Sequence, residues 1–469
     1  MLSNPTISNI LSTLDYVVFA LIMVMTIAFV LWGNYRKNKQ DIKDKFLDHM
    51  LMGRQLTLPM FIATLVATWY GGIFGVSQIA FDNGIFNFVS QGIFWYLTYI
   101  IFALFIVSKI SRFKALTLPD LIGQMFGPKS EKLSAIFNIL NLVPIVYTIS
   151  LGLLLKMIFG ISLPIGIILG VSFVLCYSFI GGFRSVVYSD IFQFFIMVSS
   201  VIVVYLLSYF TYGTAIFDTL PASYFEPMGT FTFLETLSWG LIALSTLVDP
   251  NFYQRCFAAK DFKIAKKGIL ISTIVWIIFD LCLTFGAIYA RAVIPEANSE
   301  FGYFLYALQL LPEGLRGFFL AGICATILST LDSYIFLAGS TISYDLVPKK
   351  FKASIKAQSL GILSVAIFAI ILSLIFDGNI KKVWKTLGSI SSSALLIPVV
   401  FGYISKRKIS DNVFLVAASS GAIATILWRL SGFKEYYQLD EIYIGMLSSF
   451  IPLLFNHIRN RFIKIDNEI

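Results

Sequence analysis

The chain has 469 residues, of which 58% are hydrophobic and 13% are charged, and its formal net charge is +9. Soluble domains carry about 25% charged residues, so this composition excludes a soluble globular protein and indicates a multi-pass membrane protein. The positive charge does not indicate nucleic-acid binding, because the basic residues lie in short loops between apolar segments, as the positive-inside rule predicts. We therefore expect a lipid bilayer and no nucleic acid among the partners, and the sequence indicates no obligate protein partner.

Thirteen apolar segments are long enough to cross a bilayer, since a spanning helix needs about 20 apolar residues. We number them span 0 to span 12, and they lie at about 14–33, 59–80, 86–108, 133–157, 162–180, 188–210, 231–248, 268–290, 316–345, 356–376, 383–404, 411–429 and 441–458. The sequence therefore predicts an all-α integral membrane protein with about 13 transmembrane helices.

The basic residues also predict an orientation. If the N-terminus is outside and every span crosses, most Lys and Arg residues fall in inside loops, as the positive-inside rule requires. Lys381, Lys382 and Lys385 are the main exceptions. We expect a location in the plasma membrane, the inner membrane of a bacterium, with the C-terminus in the cytoplasm.

The number of crossings predicts a repeated organisation. Spans 1–5 and spans 6–10 each make an odd number of crossings, so the two sets enter the membrane from opposite faces, as inverted repeats do. We expect an extra helix and loop at 1–58, a first repeat at 59–210, a second at 211–404, and two extra helices at 405–469. The pair Gly71 and Gly72 interrupts span 1, and Gly240 interrupts span 6. Broken helices of this kind form the binding sites of many transporters that are built from inverted repeats.

Span 8 carries a row of oxygen atoms. Thr326, Ser329, Thr330 and Ser333 recur at helical spacing and share one face, with Asp332 on its flank. Hydrocarbon offers such groups no water, so the face is typical of a site for a small hard cation such as Na⁺. The alternative is that these small residues let neighbouring helices pack closely.

Two other segments offer oxygen ligands. A break at the Gly pair of span 1 would free the carbonyls near Ala67 and Tyr70 to coordinate a cation, whereas an unbroken helix would leave only a Gly-rich packing face. Asp190 and Gln193 lie one turn apart at the inner end of span 5. They either line an ion exit path or cap and hydrate a helix end.

Asp280 and Asp332 lie well inside predicted spans. Asp280 is near the middle of span 7, and a lone intramembrane acid is a functional candidate, with Asp332 as a candidate partner. Both are candidates for coupling. At the end of span 6, Asp249 to Arg255 forms either a gating segment or an ordinary solvated loop that satisfies the positive-inside rule.

The candidates for solute contact are aromatic or small residues near the interrupted helices. They are Trp69, Gly71, Trp239, Ser389 and Ser392, with Tyr70 and Trp384 as further aromatic side chains that could shape the cavity. Aromatic side chains in membrane proteins also form ordinary core and interface packing, so that alternative stays open for each of them.

Three blocks of sequence together resemble the sodium:solute symporter family, whose members carry sugars, proline, pantothenate, choline and other organic solutes. The segment from Gly181-Gly182 to Gln193 is similar to the family's "GG…S-V-x-x-[TS]-D-x-x-Q" signature. Ala325 to Ser333 is similar to its eighth-helix block, and Asp249 to Ala259 is similar to its "D-P-x-x-x-Q-R" end of helix 6. The resemblance covers residues 10–405.

The resemblance implies a leucine-transporter fold with a 5+5 inverted repeat, one helix before it and two after it. It also implies a sodium site between span 1 and span 8. Its ligands would be the carbonyls of Ala67, Tyr70 and Thr326 and the hydroxyls of Ser329 and Thr330. Asp190 matches a family acid implicated in ion passage or in a second sodium site. Span 1 around Trp69 and Tyr70 matches no subfamily pattern, so the solute stays open.

The function that we expect is secondary active transport, in which Na⁺ is the coupling ion for symport of a small organic solute into the cell by alternating access. A proton-coupled or uncoupled carrier of the same fold, with Asp280 or Asp332 carrying the proton, is an alternative. A membrane sensor derived from the fold is another, although only about ten residues follow span 12. No HExxH, GxSxG or P-loop pattern occurs, so we do not expect an enzyme.

Overall fold

The computed structural model describes residues 10–38, 44–348, 354–375, 388–405, 408–437 and 439–466. Within these ranges the regular structure is helical, apart from one isolated β-bridge. Nine of the described helices are long and apolar enough to cross a membrane, and shorter apolar helices lie at Leu58–Ala67, Leu163–Phe179 and Ser389–Ile404. The predicted all-α membrane architecture is confirmed, whereas the count of 13 stays a prediction. The three exceptional lysines at 381–385, Trp384 and the start of span 10 lie outside the described residues.

The helices are α1 Thr13–Asn38, α2 Lys45–Leu51, α3 Leu58–Ala67, α4 Ile73–Asn83, α5 Phe94–Ile101, α6 Val107–Ile110, α7 Leu118–Met125, α8 Pro128–Leu142, α9 Ile145–Phe159, α10 Leu163–Gly181, α11 Phe183–Tyr212, α12 Phe233–Ala243, α13 Pro250–Ala258, α14 Phe262–Val293, α15 Gly302–Leu310, α16 Leu315–Ser340, α17 Ile355–Ile375, α18 Ser389–Ile404, α19 Asp411–Leu430, α20 Phe433–Tyr437 and α21 Glu441–Asp466. Turns of π-helix at Phe88–Ile93, Phe102–Ile106 and Thr341–Leu346 extend α5, α6 and α16.

Span 1 is broken, as predicted. The chain leaves the helix after Ala67 and re-enters it at Ile73, so that residues 68–72 form an unwound segment between α3 and α4. Gly71 and Gly72 lie within this segment, and they are the residues from which the break was predicted.

Span 6 is interrupted at a different position from the predicted one. α12 continues through Gly240 to Ala243, and a 3₁₀ turn at Leu244–Val248 follows. A glycine inside a helix costs only about 1 kcal/mol, so Gly240 alone does not break α12. The α-helix resumes at Pro250, where Asp249 caps α13 by accepting bonds from the backbone N–H groups of Asn251 (2.8 Å) and Phe252 (3.4 Å).

Span 3 contains a break that the sequence analysis did not predict. α8 ends at Leu142 and α9 begins at Ile145, with Val143 in an extended conformation between them. The cause is Pro144, which has no N–H to donate and disfavours a helical conformation in the residue before it. The predicted span at 133–157 is therefore present as a candidate span at Pro128–Phe159, made of two consecutive helices.

The segments that precede α3 and follow α13 are joined by a parallel β-bridge between Leu56 and Ala259. The Leu56 N–H donates to the Ala258 carbonyl at 3.0 Å, and the Lys260 N–H donates to the Leu56 carbonyl at 3.2 Å. Close by, the Gln254 side-chain amide donates to the Met50 carbonyl at 2.6 Å. We call this the 56–259 bridge.

α16 lies at the centre of the molecule. In the most apolar 18-residue stretch of α16 and its π-helical extension, 94% of the residues are buried inside the protein. The corresponding share for α1 is 28%. α16 packs on α11, α1, α17, α9 and α3, so its hydroxyl-bearing face is enclosed by protein and does not face lipid.

Candidate ion and solute site

α3 and α16 meet at the end of α3. The Ser329 hydroxyl donates to the Ala67 carbonyl at 2.7 Å and to the Ala325 carbonyl of its own helix at the same distance. Ala67 is the last residue of α3, so its carbonyl is among those that a helix end leaves without a partner in the helix. The structure thus brings together Ala67 and Ser329, two residues that the resemblance assigned to a sodium site.

The unwound segment packs closely against the same face of α16. A Cβ atom added to Gly71 would lie 2.7 Å from Thr330 Cβ and 2.5 Å from Tyr147 Cδ1, which is closer than real Cβ atoms come, so only glycine fits there. Thr330 donates its hydroxyl to the Thr326 carbonyl at 3.0 Å, and the Thr326 hydroxyl turns to the Ile323 carbonyl.

Asp280 is buried midway along α14 and binds two tyrosines. The Tyr70 hydroxyl, from the unwound segment, donates to Asp280 Oδ1 at 2.5 Å, and the Tyr96 hydroxyl of α5 donates to Oδ2. Asp332 was a candidate partner of Asp280. That expectation is wrong, because Asp332 instead accepts bonds from Tyr177 (3.0 Å) and Ser189 (3.3 Å).

A second polar cluster surrounds Asp190. The Thr64 hydroxyl donates to Asp190 Oδ2, which lies 3.5 Å from Arg255 Nη2. The same guanidinium nitrogen donates to the Thr68 hydroxyl at 2.7 Å and to the Ser333 hydroxyl at 2.9 Å. This cluster connects α11, α3, α13 and α16.

Burial in this region distinguishes between earlier alternatives. Arg255 is fully buried, so the alternative that made it part of a solvated loop is wrong. Asp190 Oδ1 and Asp332 Oδ1 have no hydrogen-bond partner in the described part of the chain, and neither do the amide atoms of Gln193. Gln193 therefore does not bond to Asp190 one turn away.

Trp69 lies in a cluster of four aromatic side chains, which we call the aromatic cluster. Its ring centroid is 5.5 Å from that of Tyr99, 5.8 Å from Phe252 and 5.9 Å from Trp276. The rings of Tyr99 and Trp276 are 4.5 Å apart. Trp276 is four residues before Asp280, so this member of the cluster lies one helical turn from Asp280 on the same helix.

The remaining solute candidates are on other helices. Trp239 lies half-buried on α12, and within the described residues its ring makes no contact with the aromatic cluster. Ser389 and Ser392 are buried on α18, which packs on the 3₁₀ turn after α12.

Several residues of these clusters were not identified from sequence. Thr64 and Thr68 were not among the candidates, although their spacing of four places both hydroxyls on one face of a helix. Tyr96 and Tyr177 gave no signal, because a tyrosine in a span is usually core or interface packing.

Comparison with known proteins identifies the chain. The sequence profile of the sodium:solute symporter family matches residues 49–412, more than half of the sequence. The chain belongs to the sodium:solute symporter family. It is therefore a multi-pass membrane transporter that couples symport of a solute to Na⁺.

Individual relatives agree with this assignment. The osmoregulated proline transporter OpuE of Bacillus subtilis is 25% identical over 365 residues, which are 72% of this chain and 73% of that protein. The sodium/proline symporter of Salmonella typhimurium is 26% identical over 360 residues, covering 69% and 70% of the two chains. A sodium/pantothenate symporter of Haemophilus influenzae is 32% identical over 204 residues, covering 41% and 42%.

Solved structures show the fold. A Na⁺-coupled sialic acid symporter in a substrate-bound outward-open state superposes with a TM-score of 0.73 at 16% identity, over 94% of this chain and 97% of that one. A nucleobase-cation-symport-1 transporter gives 0.53 at 11% identity, over 86% and 92%. The leucine-transporter-type fold implied by the resemblance is confirmed.

Proposed function

We propose that this symporter takes up a small organic solute by alternating access, driven by Na⁺ that is held where α3 and α16 cross. The observation that carries the proposal is the Ser329–Ala67 contact of 2.7 Å at the break in span 1. It brings two oxygen atoms from different helices within reach of one small cation.

The proposed ligands are the carbonyls of Ala67, Tyr70 and Thr326 and the hydroxyls of Ser329 and Thr330. All five residues are buried in this conformation, so the proposed ligands are shielded from bulk water. The Tyr70 carbonyl already accepts one bond from the Ile73 N–H at 3.1 Å, and a carbonyl oxygen has a second lone pair for a cation. The Thr326 hydroxyl is bonded within its own helix, so only its carbonyl is assigned to the ion.

Coupling follows from the position of this site. An ion bound by both α3 and α16 stabilises the arrangements in which these helices touch. The unwound segment, where solute would bind, begins directly after Ala67. Two ligands are coupled only if both favour the same conformations, and the shared segment 68–72 supplies that link.

Asp190 is proposed to lie on the ion's path to the cytoplasm or in a second sodium site. Its support is the unpartnered Oδ1 atom and the ring of hydroxyls from Thr64, Thr68 and Ser333 around Arg255. Asp280 and Asp332 are proposed as coupling residues, because both are buried acids within long helices.

The solute is proposed to contact Trp69 and Gly71 at the break, with Trp239, Ser389 and Ser392 contributing from the second repeat. We further propose that the protein lies in a bacterial inner membrane, with the N-terminus outside and the C-terminus in the cytoplasm, as the basic loops indicate.

The test is uptake of labelled solutes into proteoliposomes that contain the full chain, under an inward Na⁺ gradient or an inward proton gradient. We expect accumulation with the Na⁺ gradient only. Uptake that ignores Na⁺ and follows pH would contradict the proposal and favour a proton-coupled carrier. Solute binding without transport would favour a sensor.

A further inference from the structure

We propose that the solute carries a positively charged nitrogen and that Asp280 is the residue that pairs with it. This inference rests on the proposed function, since it names the class of solute that the proposed site takes. It favours amino acids and quaternary amines over sugars and organic acids.

The first observation is the bonding of Asp280. Its side chain is 1% exposed, and each carboxylate oxygen accepts one tyrosine hydroxyl. An ionised carboxylate has about four acceptor positions, so two remain for another donor. Neutral hydroxyls orient this carboxylate but do not balance its charge.

Two other buried acids of this protein form ion pairs with arginine. Asp48 lies 2.6 Å from Arg184, and Asp190 lies 3.5 Å from Arg255. Within the described residues no ion pair is formed by Asp280. A buried charge without a partner is costly, and a cationic solute would supply the missing charge during transport.

The location connects Asp280 to the solute pathway. Tyr70, which holds Oδ1, belongs to the unwound segment that also contains Trp69 and Gly71. Any movement of this segment therefore reaches the carboxylate through one hydrogen bond.

The aromatic cluster adds a second observation. The faces of Trp and Tyr rings attract cations, and the aromatic cluster includes Trp276, which lies one helical turn before Asp280 and packs on Trp69 and Tyr99. The Tyr99 hydroxyl and the Trp276 ring N–H are buried and have no hydrogen-bond partner in the described part of the chain. They are available to an acceptor group, such as a carboxylate, on the same solute.

Matched pairs of probes test the charge directly. Binding of labelled choline and labelled L-proline to the purified full chain in nanodiscs is measured in saturating NaCl. Competition uses 3,3-dimethylbutan-1-ol, the neutral isostere of choline, and cyclopentanecarboxylate, which is proline without its nitrogen. We expect at least one charged probe to bind and its isostere to compete at least about 30-fold less well.

Variants assign the effect to Asp280. Asp280→Asn should weaken binding of the charged probe by about 30-fold or more, and Asp280→Glu should retain most of it. Tyr99→Phe and Trp276→Phe should weaken proline but not choline if the carboxylate uses these donors. Tyr303→Phe is the matched control, because its hydroxyl is also buried without a partner but lies on α15.

A parallel measurement separates this inference from the proposed function. Stabilisation of the protein against heat by Na⁺ should persist in Asp280→Asn, which also shows that the variant is folded. If Na⁺ stabilises the protein but neither charged probe binds, or if the isosteres compete equally, or if Asp280→Asn binds normally, the inference is overturned. If Na⁺ stabilises neither the wild type nor the variant, the proposed function fails.

Discussion

At the scale of single residues, the hydroxyl groups of α16 differ in what they contact. Ser329 reaches across to α3, Thr330 lies against Gly71, and the Thr326 hydroxyl bonds only within its own helix. Three neighbouring hydroxyls on one face therefore have different expected contributions to sodium binding.

Replacing Ser329 by Ala and Thr330 by Val should raise the Na⁺ concentration for half-maximal uptake by about tenfold or more, because each change removes a ligand of a charged ion. Thr326→Val keeps the carbonyl that is assigned to the ion and should leave that concentration nearly unchanged. Sodium titration of uptake in proteoliposomes measures all three variants. An unchanged sodium dependence in the Ser329/Thr330 double variant would remove the proposed site.

The Asp190–Arg255 pair predicts a stability effect. Asp190→Asn removes the carboxylate that lies 3.5 Å from the fully buried Arg255, and breaking a buried pair from one side costs about 3–5 kcal/mol. Adding Arg255→Met to Asp190→Asn should restore part of that loss, since the uncompensated charge is gone. Thermal unfolding in detergent is the measurement. Glu441→Gln is the comparison, because the remaining charge is then the partly exposed Arg429, 3.2 Å away, which water can solvate, so the cost should be about 1 kcal/mol or less. Equal losses in Asp190→Asn and Glu441→Gln would contradict this account.

At the scale of elements, the close packing of the unwound segment on α16 depends on one missing side chain. Gly71→Ala would place a methyl group 2.7 Å from Thr330 Cβ and push the segment away from α16. We expect a several-fold rise in the Na⁺ concentration that supports half-maximal uptake.

Gly361→Ala is the control, because its methyl group would meet the Gly339 carbonyl at 2.5 Å, between α17 and α16. That variant should lose stability without a change in sodium dependence, and the prediction fails if the two variants behave alike.

How far the elements could be predicted depended on local signals. The break in span 1 followed from adjacent glycines, and Pro144 carried an equally clear signal that was not used. Gly240 was misleading because a single glycine is tolerated in a helix, and the true end of α12 depends on the Asp249 cap of α13. Long apolar helices such as α14 and α16 were predictable because the bilayer requires their length.

The clusters show what sequence alone does not contain. The i, i+3, i+4 spacing placed the α16 hydroxyls on one face, and a family resemblance assigned Ala67 to the same site. Arg255 was expected either in a gating segment or in a solvated loop. No local sequence signal indicates that α13 packs against α3 and buries this side chain. The pairing of Asp280 with Tyr70 and Tyr96 depends on contacts between residues about 200 positions apart, which no periodicity reveals.

At the scale of the whole molecule, the predicted orientation can be tested at two exposed positions. Asp218 lies between α11 and α12 and Lys260 lies between α13 and α14, which the topology puts outside and inside, respectively. In a cysteine-free background, Asp218→Cys should react with a membrane-impermeant thiol reagent in right-side-out vesicles. Lys260→Cys should react only after the vesicles are opened. Labelling of both positions from one side would show that the predicted topology is wrong.

The 56–259 bridge joins the segment before α3 to the segment after α13. These two segments therefore move together while the hydrogen bonds of the bridge are intact. Its three hydrogen bonds contribute about 0.5–1.5 kcal/mol each, or about 1.5–4.5 kcal/mol together, which is less than the roughly 5.5 kcal/mol that turns a 1:99 population into 99:1. The bridge therefore biases the protein toward the conformation in which these two segments are joined, but a difference in binding free energy of a few kcal/mol is enough to overcome it.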